Sequence, residues 1–82
     1  MPEQVPIVVP KAGMNMVEAT VIAWRKSLGD RVEAGEPIVD LETDKVELQV
    51  EAPAAGVLRE VFAAVDEDVA VGATLGVIER SA

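Results

Sequence analysis

The side chains able to do chemistry in this sequence are amines, carboxylates and a few hydroxyls, because it contains neither cysteine nor histidine. Disulfide scaffolds, thiolate or imidazole metal sites, and Cys or Ser-His nucleophile systems are thereby excluded. The densest grouping is Glu42-Thr43-Asp44-Lys45-Val46, close to the middle of the chain. Glu42 and Asp44 are a carboxylate pair of the kind that serves as general acid and base. On an exposed turn, however, such a pair more commonly solvates the chain or contacts a partner. Lys45 supplies a primary amine, a good handle for covalent modification. Most lysines in turns are only solvated charges, so a chemical role has to come from position and context.

The position is set by what flanks it. Before the group, Val39 and Leu41 alternate with Asp40 and Glu42; after it, Val46, Leu48 and Val50 alternate with Glu47, Gln49 and Glu51. Period-two alternation on both sides of a short polar break predicts two strands joined by a tight turn, with the hairpin running from Ile38 to Glu51. Asp44 suits the turn because its side chain can bond the backbone ahead of it. Lys45 then stands at or beside a hairpin tip, with Val46 opening the inward-facing set of the second strand.

Composition bounds the rest. Eighty-two residues make one small domain. Valine, isoleucine and leucine contribute 24 residues, against one phenylalanine, one tryptophan and no tyrosine. That is an aliphatic, β-rich core and not an aromatic ligand platform. Fifteen acidic against seven basic residues give a net charge of −8, which disfavours nucleic acid and anionic membranes. No apolar run approaches transmembrane length, and Met1-Pro2-Glu3-Gln4 has no signal-peptide character. The expectation is a soluble domain that stays monomeric when isolated.

Along the chain, Ile7-Val8-Val9 reads as a short strand bounded by Pro6 and Pro10. Lys11 to Met16 reads as a loop in which Gly13 and Asn15 can take unusual backbone angles. Met14 and Met16 are read as gap-fillers over a core edge, with partner contact as the alternative. Val17 to Leu28 is ambiguous: Val17, Val21, Trp24 and Leu28 fall at helical spacing, while Val21 and Ile22 suit a strand. Turns are expected at Gly29-Asp30, Ala34-Gly35-Glu36-Pro37, Pro53-Ala54-Ala55-Gly56 and Asp66-Glu67-Asp68; Val57 to Val65 repeats the helix-or-strand ambiguity.

An internal repeat reduces that ambiguity. A shift of 37 residues places Val21 on Leu58, Trp24 on Val61, Val32 on Val69, Gly35 on Gly72, Ile38 on Leu75, Leu41 on Ile78 and Glu42 on Glu79. Two copies of a strand–turn–strand unit imply two similar sheets related by a pseudo-twofold axis. The predicted fold is all-β: a flattened barrel or sandwich of two four-stranded antiparallel sheets. Lys45 follows the first copy at a crossover, and Arg80-Ser81-Ala82 follows the second, so the two tips should lie at opposite ends of the domain.

Five segments carry a resemblance: Val9-Pro10-Lys11-Ala12-Gly13-Met14, Gly29-Asp30-Arg31-Val32, Ala34-Gly35-Glu36, Glu42-Thr43-Asp44-Lys45 and Ala52-Pro53-Ala54-Ala55-Gly56-Val57. Their order and spacing, from about Val5 to Glu79, resemble the lipoyl domains of the acyltransferase components of 2-oxo acid dehydrogenase complexes. The resemblance implies a flattened β-barrel with a modified lysine on a hairpin at one end, and lipoic acid in amide linkage on Lys45. It implies a carrier with no catalytic or metal site of its own. Its partners would be a thiamine-diphosphate-dependent decarboxylase component, the acyltransferase core and a dihydrolipoyl dehydrogenase. A lipoate-protein ligase or octanoyltransferase would modify it. Glu42, Thr43, Asp44 and Val46 would be recognition residues around the lysine.

The nearest rival is a biotinyl carrier domain of a carboxylase, which resembles the same fold but sets its lysine between two methionines. Here Asp44 and Val46 flank Lys45, which favours lipoylation. The hydrogen-carrying protein of glycine cleavage is a longer relative. An unmodified interaction module is the alternative from another class. The 2-oxo acid is not fixed: Gly13-Met14-Asn15-Met16 looks like the pyruvate and acetoin type, whereas Glu18-Ala19-Thr20 and Asp44-Lys45-Val46 look like the 2-oxoglutarate type.

Overall fold

The structure is a computed structural model that describes residues 3–11, 16–44 and 46–80. Lys45, Met14 and the Gly13 and Asn15 positions of the first loop lie outside the described residues, as do Ser81 and Ala82.

Eight strands form in chain order: β1 (Glu3–Val8), β2 (Glu18–Trp24), β3 (Arg31–Val32), β4 (Pro37–Glu42), β5 (Glu47–Glu51), β6 (Gly56–Val61), β7 (Asp68–Ala70) and β8 (Thr74–Arg80). They make two four-stranded sheets, ordered β1-β8-β6-β3 and β5-β4-β2-β7, with every pairing antiparallel. Each sheet keeps two edge strands, so the architecture is a flattened sandwich and not a closed barrel. The inner faces meet in an aliphatic core. Ile7, Val21, Val32, Ile38, Val39, Leu41, Leu58, Leu75 and Ile78 are fully buried there. Each such side chain contributes roughly 1.5–3 kcal/mol by leaving water.

Both ambiguous segments are strands. In β2 the buried residues are Ala19 and Val21, at the two-residue spacing of a pleated strand. Val17 and Leu28, which a helix would have buried on its apolar stripe, are 74% and 61% exposed. The decision comes from partners distant in sequence: β2 lies between β4 and β7 and pairs with both. The first strand is longer than expected, beginning at Glu3 and running through Pro6. Proline is tolerated because β1 is an edge strand, where a missing N–H need not break the ladder.

The repeat is a true pseudo-twofold. Shifting by 37 residues carries β2 onto β6, β3 onto β7 and β4 onto β8, and the strand order β5-β4-β2-β7 becomes β1-β8-β6-β3. The irregularities repeat as well. The register shifts between Val21 and Ala23 in β2, and between Leu58 and Glu60 in β6. Val21 accepts from Asp66 N–H and donates to the Glu67 carbonyl, as Leu58 accepts from Gly29 N–H and donates to the Asp30 carbonyl. Gly35 and Gly72 take left-handed φ values of 85° and 88°. At the position equivalent to Gly29 (φ 89°) stands Asp66 at φ 72°, a residue type that enters this region more readily than most. Trp24 breaks the symmetry. It occupies the place of Val61, crosses towards Gly76, and donates its indole N–H to the Ala63 carbonyl at 2.8 Å.

Candidate functional site

The β4–β5 hairpin forms as read, and its turn is closed by one residue on each side. Thr43 N–H donates to the Val46 carbonyl at 2.8 Å, and Val46 N–H donates to Thr43 Oγ1 at 3.1 Å. The same hydroxyl lies 3.2 Å from the Val46 carbonyl and donates to it. In the chain, these bonds enclose Asp44 and Lys45 and nothing else. A threonine hydroxyl standing in for a backbone carbonyl is a recognised way to set a tight turn.

Around this turn the charges are acidic. Glu42 and Glu47 are paired directly across the hairpin, where like charges oppose folding by a few tenths of a kcal/mol. Asp44 is exposed. The row continues across the sheet: Glu42 pairs with Thr20, and Thr20 with Asp68. Thr20 donates its hydroxyl to Asp68 Oδ1 at 2.7 Å. Of the expected recognition residues, Glu42, Thr43, Asp44 and Val46 thus sit together on one tip. Two details differ from the sequence reading. Val46 does not open the inward-facing set but is 52% exposed, the inward series beginning only with half-buried Leu48 and buried Val50. The Thr43 hydroxyl is engaged in holding the turn.

Glu47, Thr20 and Asp68 were not read as site residues from sequence. Glu47 had a signal, since a two-residue loop at Asp44-Lys45 makes Glu42 and Glu47 symmetric neighbours. Thr20 and Asp68 had none, because their place depends on pairing of distant strands.

The pseudo-equivalent of the tip lies where β8 meets β1. There Glu79 faces Gln4, which donates to it, and Arg80 forms an ion pair with Glu3. Charge is thus neutralised at one end and left acidic at the other. The two ends are opposite: Gly72 and Ala73 bond Val9 at the far end of β1, while Ala70 pairs with Glu18 and Val71 bonds Val17 beside the hairpin end of β2.

The described cations apart from Lys11 are held in ion pairs, and one bears on the choice of lysine. Lys26 Nζ lies 3.0 Å from Glu36 Oε2. The Glu36 carboxyl is held below the usual glutamate value, first by the Glu33 backbone N–H and next by Lys26. Arg25 is bound to Asp40 at 2.8 Å, and that hydrogen bond and charge raise its pKa above the usual value. A shallow groove of about 390 Å³ beside the hairpin is lined by Ile22, Arg25, Asp40, Leu41, Glu47, Leu48 and Gln49. The exposed tip fits a group carried outside the domain on a covalent arm.

Comparison with known proteins agrees with this geometry. The family model for biotin and lipoyl attachment, described as "Biotin-requiring enzyme", matches residues 5–78. The chain is 46% identical over 72 residues to the dihydrolipoyllysine-residue acetyltransferase component of the acetoin cleaving system of Pseudomonas putida, covering 88% of this chain and 20% of that protein. It is 47% identical over 74 residues to the succinyltransferase component of the 2-oxoglutarate dehydrogenase complex of Bartonella vinsonii, covering 90% and 18%. The chain therefore spans about a fifth of the length of these curated relatives. Among solved structures, the lipoyl domain of the 2-oxoglutarate dehydrogenase complex of Azotobacter vinelandii superposes with a TM-score of 0.74. It is 36% identical, covering 94% of this chain and 99% of that one. A long-chain acyl-CoA carboxylase shares the fold with a TM-score of 0.80 at 23% identity, over 100% of this chain and 8% of that one. The chain belongs to the biotinyl/lipoyl-attachment family and, within it, to the lipoyl domains.

Proposed function

We propose that Lys45 carries lipoic acid in amide linkage, and that the domain ferries acyl groups and reducing equivalents between the components of a 2-oxo acid dehydrogenase complex. The observation that supports this reading is the turn: Thr43 and Val46 close a loop whose two residues in the chain are Asp44 and Lys45. Lys26, by contrast, is engaged by Glu36.

When bound, lipoic acid supplies a dithiolane that takes up an acyl group with two electrons and gives both up again. The chain's own residues do the remaining work. The hairpin fixes the base of the arm, and the pairing of β4 with β5 makes that base rigid. Glu42, Asp44 and Glu47 give the tip a negative field that orients an approaching cationic surface. The ion pair of Arg80 with Glu3 lies at the opposite end, so a tether leaving there keeps the tip clear of it. Tethering raises local concentration towards the millimolar range for a short flexible linker. The partners proposed are a thiamine-diphosphate-dependent decarboxylase component, an acyltransferase core, a dihydrolipoyl dehydrogenase, and a lipoate-protein ligase or octanoyltransferase.

Intact-mass measurement tests the cofactor. The chain is incubated with ATP and either lipoate and a lipoate-protein ligase, or biotin and a biotin protein ligase. A lipoyl adduct alone is expected; efficient biotinylation with no lipoyl adduct would move the protein to the carboxylase side. Offering the lipoylated domain to decarboxylase components specific for pyruvate, 2-oxoglutarate and acetoin then identifies the substrate class.

A further inference from the structure

We infer that Thr43 is a positioning residue for the modification of Lys45, acting through the turn and not through direct contact with the modifying enzyme; this rests on the assignment of Lys45 above. The Thr43 hydroxyl accepts the Val46 N–H at 3.1 Å and donates to the Val46 carbonyl at 3.2 Å. That carbonyl also accepts the Thr43 N–H at 2.8 Å. One side chain thus doubles the closure of a loop only two residues long in sequence. Valine in its place preserves shape and β propensity. It removes both side-chain bonds to Val46 and keeps the backbone bond from the Thr43 N–H to the Val46 carbonyl.

A modifying enzyme that needs the closed loop meets it only for the fraction of time it is closed, so its apparent affinity falls by that fraction. One neutral hydrogen bond of ordinary net strength corresponds to roughly a two- to tenfold change in the closed-to-open ratio, and the closed fraction falls by at most that factor. The covalent step itself is unaltered. The Lys45 amine attacks the carboxyl carbon of lipoate activated by ATP as its adenylate; the amide C–N bond forms, the C–O bond to AMP breaks, and the amine loses a proton. The effect therefore belongs in KM, with kcat at saturation held.

The experiment compares the 82-residue chain with Thr43→Val and Thr43→Ser. Lipoylation by a lipoate-protein ligase with lipoate and ATP is followed by mass, with the site mapped by peptide analysis. Amide hydrogen exchange is read at Val46, and circular dichroism checks the fold. The expected result is a loss of kcat/KM of up to about tenfold in Thr43→Val, mostly in KM, with Val46 exchange accelerated because its N–H has lost its acceptor. Thr43→Ser, which keeps the hydroxyl, recovers most of both. Wild-type rates in Thr43→Val would overturn the inference. So would a Thr43→Ser variant as slow as Thr43→Val, since the enzyme would then be reading the threonine methyl. Absence of an adduct on Lys45 in the wild type would instead overturn the assignment of the lysine, and the inference with it.

Discussion

Replacing Gly76 or Gly72 by alanine adds the same methyl group and should give very different results. At Gly72 the backbone is left-handed, φ 88°, and a Cβ would meet nothing within 4 Å. The penalty there is conformational alone, about 1–2 kcal/mol for an L-residue in this region. It is offset by about 0.4–1 kcal/mol, because alanine restricts the unfolded chain. The net loss is about 1 kcal/mol, which lowers the melting temperature of a domain this size by roughly 4–8 °C. Gly35 has φ 85° and the same open surroundings, so the pseudo-twofold demands the same loss there. At Gly76 a Cβ would stand 2.4 Å from the Glu60 carbonyl oxygen and 3.3 Å from Trp24 Cη2. The oxygen belongs to β6, which pairs with β8 along its length, so it cannot retreat without opening the sheet. Overpacking of this kind costs about 1–3 kcal/mol or more, and the immovable neighbour puts Gly76→Ala at the upper end. Urea and thermal unfolding, followed by Trp24 fluorescence and circular dichroism, measure all three variants. A Gly76→Ala variant less destabilised than Gly72→Ala would refute the packing argument. A difference of more than about 1 kcal/mol between Gly35→Ala and Gly72→Ala would refute the symmetry.

Other consequences are closer to the tip. Glu42→Gln removes a like-charge pair with Glu47; stability should hold or rise by up to about 0.5 kcal/mol while reductive acylation slows, and lost stability with unaltered acylation would reverse the roles assigned. Asp44→Met with Val46→Met gives Lys45 the neighbours of a biotinyl carrier. Because Val46 is exposed and contributes to the turn through its backbone, the double variant should keep its fold and gain biotin from a biotin protein ligase; no biotin adduct would show that flanking residues do not set the choice. The lowered pKa of Glu36 means that its ionised form favours the folded state. Its contribution is present above the ordinary glutamate value and disappears as pH falls through the lower folded value. The stability gap between wild type and Glu36→Gln, measured by urea unfolding, should therefore be open at pH 7 and close under acid; a gap that widens under acid would contradict the assignment.

The hairpin and the repeat were legible because both are local patterns or comparisons of the chain with itself. Alternation around residues 43–46 fixed β4 and β5, and the Gly35–Gly72 match located two left-handed turns with nearly equal φ. The strand identity of Glu18–Trp24 was not legible from local spacing, where Val17, Val21, Trp24 and Leu28 also suit a helix; the repeat and the all-β expectation favoured a strand, and pairing with β4 and β7 makes it one. Pro6 seemed to bound a strand because nothing local says that β1 is an edge. Val46 misled because it lies in the turn ahead of β5, where the alternation of a strand does not set which way a residue faces. The acidic composition of the tip was visible, but its continuation to Asp68 through Thr20 requires the register of three strands. Thr43 shows the remaining limit: residue type alone leaves its hydroxyl equally suited to a partner or to its own backbone.

The account stands most directly on where the amine is acylated. Wild type, Lys45→Arg, and a variant with Asp44 and Lys45 exchanged should be incubated with lipoate, ATP and a lipoate-protein ligase, then digested and mapped by mass spectrometry. The exchange keeps charge and composition but moves the amine one position along the turn, which in strand-flanked chain redirects a side chain to the other face. The prediction is one lipoyl adduct in the wild type, on Lys45, none in Lys45→Arg, and a sharp fall in the exchanged variant with the fold intact. An adduct on Lys11 or Lys26, or undiminished lipoylation of the exchanged variant, would contradict it.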